Sequence, residues 1–298
     1  MSKLAVSVDL DDSWAYLQAR NLPFRDAPSI IPLATARILE LFDTVGIEQA
    51  TVFVVGSDAQ TCVGRDAIRD FVSRGWEIAD HSYLHRGELA AQHVHEIIAD
   101  LRKSQEAIAQ VTGDLPNGFR CPSFGASPSL DVALQMLGYS YNASALPTPL
   151  MPLLRLYHRW SAGKSDHAPS YGNLATALGS LRPRVDHNGM SSIPTTTLPM
   201  LRTPFHGSYL MALANRSPAL AANYAALADR SCRAFNLPIS FLLHPTDVLD
   251  QRDAPQLSFF PGMNVPWETK RELLRSTLFR FVDNRMVATL ARFRTETA

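Results

Sequence analysis

Three carboxylates in "VSVDLDD" (6–12) and two histidines in "ADHSYLH" (79–85) are the residues of this chain whose types and spacing point to chemistry. An apolar run that ends in Asp9, Asp11 and Asp12 is costly unless something compensates the charge. Like charges side by side raise one another's pKa, and a bound cation removes that penalty. Residues two apart on a strand share a face, so Asp9 and Asp11 point together. One carboxylate can then bind a metal while the other stays free as a base. His81 and His85, four apart, can converge on one ion if the chain turns helical after the strand. Divalent zinc takes two or three imidazoles plus a carboxylate and keeps a position open when it is catalytic. Each segment has a plain alternative, an acidic strand end in solvent or two structural imidazoles. The histidine pair also lacks the glutamate that follows the first histidine of a zincin helix.

Two further segments bear on the same chemistry. "NGFRCPSFG" (117–125) sets Arg120 at a strand end before a proline turn, where it can neutralise and orient a catalytic carboxylate. "FLLHPTD" (241–247) ends an apolar strand with His244, an imidazole placed to act as general acid. All four segments fall at the carboxyl ends of expected strands. In α/β barrels that face holds the active site, because the loops after the strands converge there. Cys121, between Arg120 and Pro122, reads as structural, and His93 and His95 read as surface or packing residues.

The elements that must position these residues alternate. Apolar or β-branched runs at 4–8, 50–56, 76–82, 118–122 and 139–144 read as strands. Amphipathic stretches at 29–46, 66–75, 90–113 and 129–138 read as helices, the longest ending at Gly113 as a C-terminal cap would. This rhythm implies parallel strands joined by right-handed crossovers, an open sheet or a barrel. Residues 146–216 are rich in Pro, Thr, Ser and Leu, and proline breaks most helical readings there. Beyond them come a helix at 217–236, a strongly apolar strand at 238–244, a surface helix at 267–284 and a last short strand at 286–290. The economical reading is one domain over 1–298 with an irregular insertion at 146–235.

Composition narrows the function classes. The chain has 298 residues, 46% of them hydrophobic, ample for a large core. Lys plus Arg and Asp plus Glu both number 28, so the net charge is zero and no electrostatic footprint for nucleic acid or an anionic membrane is expected. The first acidic residue comes too early for a signal peptide's apolar region, and no run of eighteen apolar residues exists. Three widely spaced cysteines suit reduced thiols, so the expected location is cytoplasmic. Nothing in the sequence sets the oligomeric state.

The four segments, in order and approximate spacing, resemble the motifs of NodB-type polysaccharide deacetylases, carbohydrate esterase family four. "GWEIADHSYLH" (75–85) is the most specific piece, close to the family's G-H-E-I-x-N-H-[ST]-x-x-H. The resemblance runs over 4–145 and resumes at about 236–290. It implies a distorted (β/α) barrel of about seven parallel strands and metal-dependent hydrolysis of an N-acetyl or similar amide. It also implies one divalent ion held by His81 and His85, zinc by preference, with cobalt, manganese or nickel as alternatives. The family's bracing arginine corresponds to Arg120 and its late histidine acid to His244. Its commonest first motif, T-F-D-D-G, laid directly on "DLDDS" would make Asp11 the base and Asp12 the ligand. The D-x-D form of other members makes Asp9 the base and Asp11 the ligand, and strand alternation favours this second alignment, with Asp12 in reserve. The family's acid-tuning Asp corresponds to Asn142, which would leave His244 with a lower pKa unless Asp247 substitutes.

The expected substrate is an N-acylated amino sugar, in a form carried on a lipid or other hydrophobic group if the apolar stretches "TPLMPLLRLYHRW" and "TTTLPMLRTPFHGSYLMAL" line the mouth. A small cyclic or linear amide, as for allantoinase-like and imidase-like relatives, is the alternative within hydrolases. A non-catalytic metal or carbohydrate binding protein on the same barrel is the alternative outside them.

Overall fold

The computed structural model describes residues 2–150, 177–186 and 189–293. Among these, nine strands form one sheet in the order β6-β7-β5-β4-β3-β2-β1-β8, with β9 paired to β1 as well. The strands are β1 (Ser2–Leu10), β2 (Thr51–Val54), β3 (Glu77–Asp80), β4 (Gly118–Phe119), β5 (Tyr141–Ala145), β6 (Arg184–Val185), β7 (Ser191–Pro194), β8 (Ile239–Leu243) and β9 (Arg285–Val287). Every pairing is parallel except β6 with β7. The sheet curls into a barrel, as the motifs implied. Where β7 ends, the Thr196 N–H donates to the Ser240 carbonyl at 3.0 Å and the Ser240 N–H donates to Thr196 Oγ1 at 2.8 Å, tying that end of the sheet to β8.

Helices cover the outside. They are α1 (Ser13–Gln18), α2 (Ile31–Val45), α3 (Cys62–Ser73), α4 (Val94–Thr112), α5 (Pro128–Met136), α6 (Gly207–Ala214), α7 (Pro218–Ala234), α8 (Pro245–Val248), α9 (Trp267–Val282) and α10 (Leu290–Phe293). Several start where capping side chains dictate: Thr61, Ser127 and Ser217 each accept from a backbone N–H of the first turn. Alternation along β1 sorts the core. Leu4, Val6, Val8 and Leu10 pack outward with Phe42, Ile38 and Phe241, while Ala5 faces an inner cluster with Phe53, Ala79, Tyr141, Ala143 and Ile193. Leu290 and Phe293 of α10 close that inner cluster from below. Gly118 is required on β4, since a Cβ there would collide with the Tyr141 ring.

The irregular insertion expected at 146–235 is corrected in part. Residues 191–194 are a strand of the sheet, and α6 and α7 carry the chain from β7 to β8 as an ordinary crossover. The stretch escapes periodicity because β7 is only "SSIP" and the residues before α6 are rich in proline and threonine. Residues 151–176 of the expected insertion, and with them most of "TPLMPLLRLYHRW", lie outside the described residues, as do positions 187–188. Among the described residues no helix is long and apolar enough to cross a membrane.

Candidate active site

At the carboxyl end of the barrel, Asp11, His81 and His85 present ligand atoms that all lie within 4.8 Å of one another. Asp11 Oδ1 stands 3.5 Å from His81 Nε2 and 3.3 Å from His85 Nε2, and it is buried with no hydrogen-bond partner. The Arg120 carbonyl can only accept, so at 2.7 Å it fixes the proton of His81 on Nδ1 and leaves Nε2 as a lone pair facing the cluster. Burial lowers the pKa of both imidazoles, that of His85 to about 4, so both are neutral as metal ligands must be. Burial, above all, raises Asp11. An orphaned buried carboxylate oxygen between two neutral imidazoles fits a divalent cation, which would reverse that shift.

The two histidines do not converge through a helix as expected. They sit on a tight turn in which Ser82 and His85 both take the left-handed region, at φ 66° and 48°. Such backbone is strained for residues other than glycine and persists where the surroundings fix it. Here Asp80 does so, accepting from Ser82 N at 2.7 Å, Ser104 Oγ at 2.8 Å and Tyr139 Oη at 2.5 Å. Sequence reasoning passed over Asp80; the signal was a carboxylate closing a buried strand immediately before a histidine.

Asp9 lies beside this cluster on the inner face of β1. Its Oδ1 accepts from the Arg120 guanidinium at 2.6 Å, and its Oδ2 is 3.8 Å from both His81 Nε2 and His244 Nε2. Burial pushes Asp9 up, but the Arg120 guanidinium first, and then His244, pull it below its ordinary value, so it is ionised. Arg120 is itself fully buried, held by Ser7 Oγ at 3.1 Å and the Ala143 carbonyl at 3.1 Å, with its guanidinium carbon 4.1 Å from the centre of the Phe53 ring. Asp9 and Asp11 therefore share a face, as the alternation of β1 requires.

Asp12 does not join them. It caps α1, and its Oδ1 accepts from Ser13 N at 2.7 Å and Ile30 N at 2.8 Å, a structural duty that removes it from the reserve. Asn142 is likewise corrected as a partner of the acid, since its amide oxygen is taken by the backbone N–H and hydroxyl of Ser144. The partners of His244 come from elsewhere. Nδ1 is 3.0 Å from Ser208 Oγ and 3.7 Å from Asp247 Oδ2, and Asp247 also accepts from the His244 N–H at 2.8 Å. Burial works to lower His244, but Asp247, Asp9 and Asp11 raise it to about 9. Gly207 makes room for Asp247, whose carboxylate a Cβ at that position would strike. Cys121 is buried with its thiol pushed up to about 12 by burial, in keeping with a structural part, and His93 and His95 stack on each other at the start of α4.

These groups open on one cavity of about 340 Å³. Its far walls are apolar, formed by Phe124, Leu146, Leu150, Phe259 and Phe260, with Tyr16 edge-on to Phe260. The two phenylalanines of "LSFFPGM" thus line the site. His206, Ser208 and Tyr209 complete the wall beside His244, and sequence reasoning missed all three because they follow the proline-rich stretch. The signal available was "FHGS" directly ahead of the apolar "YLMALA".

The sequence profile of the polysaccharide deacetylase family matches residues 19–142, less than half of the chain. No curated protein matches. Among solved structures, a Mycobacterium smegmatis protein provisionally described as a polysaccharide deacetylase is 17% identical over 98% of this chain and 89% of its own, with a TM-score of 0.61. A pseudoenzyme of carbohydrate esterase family four from Bacillus anthracis is 12% identical over 99% of this chain and 66% of its own, with a TM-score of 0.53. At these identities the likeness shows the fold, and a fold shared with a pseudoenzyme leaves catalysis to the site itself. The matched residues, which take in the histidine and arginine segments but not those of Asp9–Asp12 and His244, and the barrel bear out the resemblance and relate the chain to the NodB-type polysaccharide deacetylases of carbohydrate esterase family four.

Proposed function

We propose that this chain is a metal-dependent hydrolase that removes an N-acyl group from an amino sugar or a similar small amine bearing an apolar group. The observation that carries the reading is the orphaned Asp11 carboxylate between two neutral imidazoles, 3.5 and 3.3 Å away, beside an ionised Asp9. A divalent ion held by Asp11, His81 and His85 would supply Lewis acidity to the amide oxygen and to a bound water. Asp9, kept ionised and aimed by Arg120, takes a proton from the attacking water. His244, charged at neutral pH and held by Ser208 and Asp247, gives a proton to the departing amine, without which amide cleavage stalls. Acetate, or another short carboxylate, and a free amine are the products.

The shape of the cavity favours a small substrate over a polymer. About 340 Å³ with phenylalanine and leucine walls suits one ring with an apolar attachment. For the same reason a small cyclic or linear amide is the second reading. Zinc-, cobalt- or manganese-loaded protein should release amine from N-acetyl amino sugars carrying an alkyl or lipid group faster than from the free sugar or its oligomers. Fastest cleavage of the oligomers would refute the small-substrate reading. Release from none of them, with ligand binding retained, would favour a binding protein.

A further inference from the structure

His206 is the one imidazole of the cavity wall to which the reaction above gives no part. It precedes α6, and its ring centre lies 6.5 Å from that of His244, with Phe124 and Tyr209 at 6.5 and 6.4 Å. Its backbone is fixed by its neighbours, since Gly207 packs against Asp247 and Ser208 bonds His244. The ring is therefore held on the side of the cavity where the leaving amine would be protonated. Its Nδ1 is buried and meets no hydrogen-bond partner.

The chemistry of the ring narrows what it can meet. Burial, then the neighbouring His244 charge, lowers the pKa of His206 to about 4, so it is neutral and no anchor for a phosphate or carboxylate. Because Nδ1 is buried and meets no acceptor, a lone pair there is less costly than an N–H, and the proton belongs on Nε2. The polar atom left for the cavity is then a neutral N–H donor. Phe124, Ser208, Tyr209 and Ala212 line the cavity with it.

We propose that His206 is a specificity-determining residue whose Nε2–H donates to a hydroxyl oxygen on the carbon adjacent to the one that bears the scissile nitrogen. The site then selects N-acyl amino alcohols, amino sugars among them, over plain N-acyl amines. The inference rests on the hydrolase reading for its placement of the scissile nitrogen beside His244. A hydroxyl in this position gives the Nε2–H an acceptor, while the apolar walls take the remainder of the ring.

Two probes differing in one hydroxyl test it: trans-2-acetamidocyclohexanol and N-cyclohexylacetamide, with zinc-loaded full-length protein. The wild type should favour the hydroxylated probe by ~10-fold to 10²-fold in kcat/KM, the range expected for one or two hydrogen bonds' worth of discrimination. His206→Phe should erase the preference by losing rate on the hydroxylated probe alone, and His206→Gln, which keeps a donor, should retain most of it. An equal loss on both probes, or an unchanged ratio in His206→Phe, overturns the proposal. Should the wild type hydrolyse neither probe while it deacylates an alkylated N-acetyl amino sugar, the proposal is overturned; should it act on none of the three, the hydrolase reading fails by itself. Calorimetric binding of trans-2-aminocyclohexanol against cyclohexylamine then decides on His206: a preference lost in His206→Phe supports it, and no preference in the wild type overturns it.

Discussion

The two sides of the barrel mouth are built differently. On the β1–β4 side, Asp9, Asp11, His81 and Arg120 stand on strands or within a residue of their ends, almost fully buried and cross-braced by Arg120. On the β7–β8 side, His206 and Ser208 sit at the start of α6, and Ser208 meets His244 from thirty-six positions away in sequence. The first side is rigid by construction, because every group has neighbours in the ladder. The second depends on a loop packing correctly against a strand end. In the proposed reaction the first side would hold the metal and the base, and the second would handle the leaving group and read the substrate.

Variants that break one side and spare the other sharpen this division. The largest effect is expected for Asp9→Asn, which removes the base and should lower kcat by ~10²–10⁴ while leaving bound metal in place, as checked by steady-state rates and metal analysis. Arg120→Met should come next, costing about 3–5 kcal/mol of stability because it strands a buried carboxylate. Urea denaturation reads that loss, and a change below 1 kcal/mol would mean the pair is not what braces the mouth.

On the other side the expected signature is a pH shift. As the proposed acid, His244 would act when protonated, so the rate should fall as pH rises through its pKa, at or below about 9 once a nearby cation is bound. Asp247→Asn removes a carboxylate that holds the proton, so the alkaline limb should move to lower pH. Asn142→Asp should leave it unmoved, because Asn142 is occupied by Ser144. The smallest effect is expected for Asp12→Ala: loss of the α1 cap, ~1 kcal/mol in thermal or urea unfolding, with metal content unchanged.

The same division explains what could be read without the structure. Alternation on β1 put Asp9 and Asp11 on one face, and apolar runs bounded by turns marked β1, β2, β3, β5 and β8, because strand periodicity is a local property. Asp12 was ambiguous because an N-cap and a metal ligand look alike in a run of carboxylates. Only its bonds to Ser13 and Ile30 separate them. Asp247, three residues after His244, was legible as a substitute partner, whereas Ser208 was not, since their meeting is a matter of packing between distant segments. β7 stayed hidden because four residues, two of them serine and one proline, carry almost no strand signal.

The most direct test of the central claim is the metal content of the purified protein, measured by elemental mass spectrometry beside that of His81→Ala and Asp11→Ala. About one divalent ion per chain is expected in the wild type, retained in Asp9→Asn and lost from the other two variants. A wild type that stays empty after refilling with zinc, cobalt or manganese would contradict the account and leave the histidine turn as structure alone.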